Sequence, residues 1–378
     1  MKTRLLLLPA VILAALAAYF FLTRPGAPAG GARPGTVAEP AAGEPPASAA
    51  SVAAESATPA AAMPNDRSAL RDWIDRVLAA LELGPNPAAV EQLKAALLAA
   101  EPRLAINAIV EFLGEGRDVA TGGEFALGGG GALADAPTLR VMLLDVLGQI
   151  ARRTRSPAAA RVSRTVLETR DSADEWALAL RNVAWHEPAA KPYLASKVRE
   201  MLAHGPWRAR PSAGMLEAFD VAVYTRDASL VPELAEAQRS GGRELQYAAA
   251  VALDRLAEQG PLEVMTYLNT HPTELADRPL LRADYYAKAD LSQIAQRAAV
   301  EIYLGRPDVA LEEKSKLLKG LATPATFVAE TLLTEAPPPD DGGPRLDALA
   351  RATGEWLAGD RFPDLRAPLT QLRQRLAP

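Results

Sequence analysis

A histidine can act as a general base or hold a metal ion, and this chain has three: His186, His204 and His271. They lie 18 and 67 residues apart, outside HExxH or any other metal-ligand spacing. Trp185-His186-Glu187 precedes Pro188, and His204 precedes Gly205, so the sequence places both at helix ends, where a cation meets the C-terminal dipole. The carboxylate pairs Glu312-Glu313 and Asp340-Asp341 would serve as general acid and base only if both members faced one substrate. Adjacent residues on a helix point in different directions, and Asp340-Asp341 follow three prolines in a loop, so both pairs read as solvated surface. No GxSxG is present, and the absence of cysteine removes cysteine nucleophiles, thiolate zinc sites, iron–sulfur clusters and disulfides. The sequence therefore predicts no catalytic residue, no metal site and no cofactor. A lone Glu in a groove, as in a cell-envelope hydrolase, is the alternative chemistry.

The glycine-rich stretch 114–137 is the one place where a backbone could cradle phosphate. It has no GxxxxGK[ST] and no nearby Lys, so a nucleotide site is not expected. Phe125-Ala126-Leu127 and Ala132-Leu133-Ala134 flank Gly128 to Gly131, which suits a small β-hairpin projecting from its surroundings. With 41 Lys plus Arg against 46 Asp plus Glu the net charge is −5, which offers no field for a nucleic acid. Within that acidic background Arg152, Arg153, Arg155, Arg161 and Arg164 gather around Ser156-Pro157. They are the candidate partner-binding residues, for an anionic partner or a lipid surface, although helix-terminal arginines also serve the dipole. Tyr285-Tyr286 would be a binding hot spot if exposed and a bridge between helices if buried.

The elements that must position these residues are helices. Leu70, Trp73, Ile74, Val77, Leu78 and Leu81 fall on one helical stripe. The pattern returns at Leu139, Met142, Leu143, Val146, Leu147 and Ile150, at Leu245, Ala249, Leu253 and Leu256, and at Leu291, Ile294, Ala295, Ala298 and Ile302. Gly84-Pro85, Gly205-Pro206 and Gly260-Pro261 punctuate them as helix stops followed by helix starts. Ser172 with Glu175 has the spacing of a capping box, and Thr323 before Pro324 suits an N-cap. The expectation is an all-α body over 65–378, interrupted by the 114–137 insertion and built as a repeat solenoid or an irregular helical domain.

Ahead of that body, Leu5 to Leu22 are 18 uncharged, mostly apolar residues preceded by Lys2 and Arg4. As a helix they would span about 27 Å, close to a bilayer core. The run ends in Tyr19-Phe20-Phe21-Leu22, bulky where signal cleavage requires small residues, so residues 1–24 are expected to be a membrane anchor rather than a removed signal. Residues 25–64, with 15 Ala and 8 Pro in Pro25 to Pro64, read as a disordered linker. The basic flank puts the N-terminus in the cytoplasm and the body outside it.

The stretch from Arg243 to His271, a helix with Ala-Ala and Leu-x-x-Leu positions, a Gly-Pro turn and a second helix, resembles a HEAT repeat. Thr138 to Thr169 is similar in plan, and Leu230-Val231-Pro232-Glu233-Leu234 looks like the start of a HEAT second helix. The resemblance, over roughly 138–334, implies stacked helix pairs whose faces bind proteins. The expected function is a protein-binding scaffold or adaptor, single-pass in the bacterial inner membrane with its body in the periplasm. Anchor, spacer and helical body also look like the lipase-specific foldases, which makes a periplasmic chaperone an alternative. The nearest stretch to their RxxFDY-type motif, Leu216-Glu217-Ala218-Phe219-Asp220-Val221, lacks its Arg and its Tyr.

Overall fold

The computed structural model describes residues 66–323, 331–334 and 343–377. The expected anchor and linker, Pro324 and Asp340-Asp341 lie outside them. No described helix is long and apolar enough to cross a membrane.

The body is all-α, with seventeen α-helices among the described residues. Asp66 starts the first: its carboxylate accepts from the Ala69 N–H at 2.7 Å, and α1 runs Arg67–Glu82. Both α2 (Pro87–Ala99) and α3 (Pro102–Glu115) open on a proline, where the missing N–H costs no intrahelical bond. The glycine-rich segment then forms the expected hairpin. In it β1 (Ala126–Leu127) pairs antiparallel with β2 (Leu133–Asp135) across a 3-10 turn at Gly129–Gly131. It does not project, however: Phe125 and Leu133 are buried against the helices, because each triplet has an apolar side chain that needs cover.

The helices that follow are α4 (Leu139–Thr154), α5 (Ala158–Thr169), α6 (Ala173–His186), α7 (Lys191–Ala203) and the five-residue α8 (Gly205–Ala209). Then come α9 (Ala213–Thr225), α10 (Val231–Ser240), α11 (Arg243–Gln259), α12 (Pro261–Thr270) and α13 (Pro279–Tyr286). The last are α14 (Ile294–Gly305), α15 (Leu311–Gly320), α16 (Gly343–Ala358) and α17 (Arg366–Leu376). Ser172 caps α6 by accepting from the Glu175 N–H at 3.3 Å, and Gly260-Pro261 joins α11 to α12 as the sequence suggests.

Successive helices alternate between two rows. In one, α2, α4, α6, α9, α11, α13, α15 and α17 each touch the next. In the other, α1 touches α3, α3 touches α5, α7 touches α10 and α12 touches α14. Lys197 of α7 pairs with Glu168 of α5, and the Trp356 Nε1–H of α16 donates to Glu301 of α14, extending that row. Apolar side chains between the rows form one continuous core.

Three of the four predicted stripes face that core: their leucines, isoleucines, valines, Met142 and Ala249 are buried, and Trp73 half-buried. The fourth does so only at Leu291, which precedes the helix. On α14, Ile294 is 87% and Ile302 60% exposed, and Ala295 and Ala298 face solvent with them. The helix buries Ala299, Val300, Tyr303 and Leu304 instead. Two apolar faces compete on this helix, and the one carrying Tyr303, stacked on Tyr286 with ring centroids 3.9 Å apart, takes the core.

Candidate functional site

A run of buried ion pairs ties together neighbouring helices of the first row. Arg140 of α4 forks onto Glu175 of α6, both bonds at 3.0 Å, and gives its remaining Nη1–H to the Leu113 carbonyl. One turn on, Arg181 of α6 donates to Asp145 of α4 at 2.6 Å and to the Gly131 carbonyl at 2.7 Å, with its guanidinium over the Trp185 ring. Asn182 beside it donates to the Leu144 carbonyl and accepts from Arg181. The helices approach closely here because Gly148 has no Cβ; one would collide with Asn182 Oδ1. Asp220 of α9 pairs with Arg255 of α11. Beyond them Lys288, just after α13, reaches Asp254 and Glu258 of α11, and Arg282 of α13 forks onto Glu313 of α15 at 2.7 and 3.1 Å. Apart from the half-exposed Lys288–Asp254 contact, each pair is placed so that a register slip between two helices would strand a charge away from water.

One of these pairs does more. Asp220 Oδ2 accepts the backbone N–H of Leu333 at 2.7 Å and of Thr334 at 2.9 Å, while its other oxygen takes the Thr334 hydroxyl. Arg255 donates to the Thr334 carbonyl at 3.1 Å and to its hydroxyl oxygen. The segment Thr331–Thr334, in neither helix nor strand, is thus strapped across α9 and α11 with Leu332 fully buried. Its upstream end meets the hairpin. Gly131 adopts φ of 76°, and a Cβ there would collide with the Leu332 carbonyl oxygen and lie 3.3 Å from Trp185. Glu217, one turn before Asp220, is held above the usual carboxylate range by burial and by the Asp220 charge, with Arg255 opposing.

The five arginines singled out by sequence differ in their neighbours. Arg152 lies over the Trp185 ring, 4.7 Å from its centroid, at the foot of the hairpin turn, and Arg153 donates to the Leu98 carbonyl at 3.0 Å. Arg164 is half-buried, paired with Glu187 and lying over Tyr193. Arg155 and Arg161 are exposed on either side of the Ser156-Pro157 turn. Arg152 and Arg153 sit in the last turn of α4, the position that a helix dipole favours.

The histidines are at helix ends. His186 is the last residue of α6, and His271 follows α12 and stacks on Tyr267. His204 lies between α7 and α8, where its Nδ1 accepts the Trp207 N–H. Burial lowers the affinity of His186 for a proton, reinforced by Arg152 and Arg181, while the Gly148 backbone and Glu187 oppose. The unfolded chain therefore holds that proton up to a higher pH than the folded one. Between the two values stability rises with pH, and it is lost on acidification from the unperturbed 6.5 downward. His186→Gln is expected to flatten the slope of stability between about pH 7 and 5. Urea unfolding at several pH values checks this; an unchanged slope would refute the assignment.

Glu312-Glu313 needs correcting in part. Glu312 is exposed, but Glu313 faces inward, holds Arg282 and accepts the Tyr303 hydroxyl, because a helix sends adjacent side chains to different sides. Tyr285 and Tyr286 are both buried, so they bridge helices and are not a docking hot spot; Tyr286 donates to Asn269 at 2.8 Å. An open cleft of about 440 Å³ between α14 and α16 is lined by Ile294, Ala298, Arg351 and a set of paired charges, Arg297 with Glu301 and Glu355 and Arg361 with Glu301.

Sequence reading missed Asp145, Arg181, Asp220, Arg255 and the strap. A signal existed for Asp145 and Arg181: each is a single charge inside an otherwise apolar helical face. No family model, curated protein or solved structure matches the chain. Only the helices and the site therefore bear on the class of protein.

Proposed function

We propose that this is a HEAT-like helical-repeat protein that binds other proteins as a scaffold or adaptor. Residues 5–22 anchor it in the bacterial inner membrane, and the body works in the periplasm. The observation that carries the reading is the alternation of helices between two rows, with buried charge pairs joining α4 to α6, α9 to α11 and α13 to α15. An array of this kind holds itself together through adjacent contacts and leaves its outer faces and turns free for a partner. Of the five arginines, Arg155 and Arg161 are the two best suited to meet an anionic partner.

Two measurements test the two halves of the proposal. A photo-crosslinker at Arg161 in host cells is expected to give one discrete protein adduct. Arg155→Glu with Arg161→Glu should weaken that interaction, more so at low salt, without shifting the melting temperature. Absence of an adduct from this turn and from the rest of the two rows would defeat the binding reading. Deleting residues 5–22 should move the protein from the membrane fraction to the soluble fraction, and an unchanged distribution would defeat the anchor.

A further inference from the structure

We propose that Asp220, Arg255 and the hairpin turn at Gly131 form a peptide-recognition site. In this structure Thr331–Thr334 fills it as an internal ligand, and a Leu-Leu-Thr segment of a partner protein, bent in the same way, displaces it. The inference rests on the protein-binding reading above and names where that binding occurs.

Recognition of the strap runs through its main chain. One carboxylate takes two successive backbone N–H groups, and one guanidinium takes the following carbonyl. The chain bends at Leu332 and Leu333, which turns two successive N–H groups toward the same carboxylate oxygen; main-chain bonds of this kind give affinity while side-chain pockets give selectivity. Two selective features are present. Leu332 is fully enclosed, and its carbonyl lies where Gly131 lacks a Cβ. The Thr334 hydroxyl sits between Asp220 and Arg255, bonded to both, so an apolar residue followed two positions later by a hydroxyl residue is the pattern that fits. A methyl in place of that hydroxyl would leave buried charges short of a partner.

The strap can leave without orphaning a charge. Asp220 and Arg255 bond each other, so its departure exposes a paired carboxylate and guanidinium to water or to a second peptide making the same bonds. Arg181 differs: its bonds end on Asp145, Asn182 and the hairpin, all inside the fold. While the strap is tethered it competes at an effective concentration of about millimolar, which keeps the resting site closed to weak ligands.

The test uses the full chain and a fluorescent synthetic peptide with the sequence of residues 329–336, AETLLTEA, read by anisotropy. The unaltered protein is expected to bind it weakly. Leu332→Asp, which expels the strap, should strengthen binding about tenfold or more, and Thr334→Val by about threefold. Adding Asp220→Asn to either should reverse the gain. If Leu332→Asp fails to fold, Thr334→Val, which leaves Leu332 in place, decides the outcome. The chain has no cysteine, so a nitroxide on Thr331→Cys reports the strap alone. Its spectrum should change from immobile to mobile as peptide is added. Folded variants that gain no peptide affinity, binding indifferent to Asp220→Asn, or a label that stays immobile at saturating peptide would each overturn the proposal. A failure here alongside a crosslink at Arg161 would leave the scaffold reading standing and remove only this site.

Discussion

Asp145→Ala is expected to destabilise the helical body by about 3–5 kcal/mol, the cost of leaving one partner of a buried ion pair without the other. Arg181 and Asp145 are both fully buried, and burial already pulls the Arg181 guanidinium below its usual proton affinity, with Asp145 opposing. Without the carboxylate the charge retains the Gly131 carbonyl, Asn182 and the Trp185 ring, none of which carries a compensating negative charge. The double variant Asp145→Ala with Arg181→Met should recover most of the loss, since removing both charges removes the desolvation cost with the attraction. Urea unfolding followed by circular dichroism measures both. A single variant within about 1 kcal/mol of the parent would show that this pair does not hold α4 to α6.

Trp356→Ala should cost a similar amount, about 3–5 kcal/mol, but the damage should stay local. Trp356 is the largest fully buried side chain, set edge-on to Phe362 and donating to Glu301 at 2.7 Å. It fastens α16 to α14 at one end of the rows. In an array where helices contact their near neighbours, losing an end unit withdraws support from the units beside it first. Hydrogen exchange is expected to accelerate across α16 and α17 while α4, α6, α9 and α11 keep their protection. Uniform acceleration would mean that the body unfolds as one cooperative block.

Much of this architecture is legible in the sequence, because an amphipathic helix must declare its buried face at a period near 3.6 residues. The stripes beginning at Leu70, Leu139 and Leu245 did so, and the four glycines flanked by apolar triplets suggested the hairpin though not its burial. Periodicity fails where a helix carries two apolar faces. On α14 the Ile294–Ile302 stripe is as regular as the Val300–Tyr303–Leu304 one, and only the neighbours decide between them. The site was less legible for a different reason. Asp220 lies inside MLEAFDVAVY, its partner stands 35 residues away and the strap 114, and no local rule relates such positions. The arginine cluster shows what proximity along the chain leaves out: Arg152, Arg153 and Arg164 meet Trp185, Leu98 and Glu187 separately.

The strap also sets an order of events in time. Helix pairs in the two rows close short loops, so they can form early and in any sequence along the chain. Thr334 must find Asp220 across 114 residues, and the pair it binds does not exist until α9 and α11 are already side by side. Docking of the strap is therefore expected to be a late step of folding. Until it occurs, a newly made chain would present the Asp220–Arg255 surface and the hairpin turn uncovered, a youthful form whose proposed site the mature form has closed upon itself.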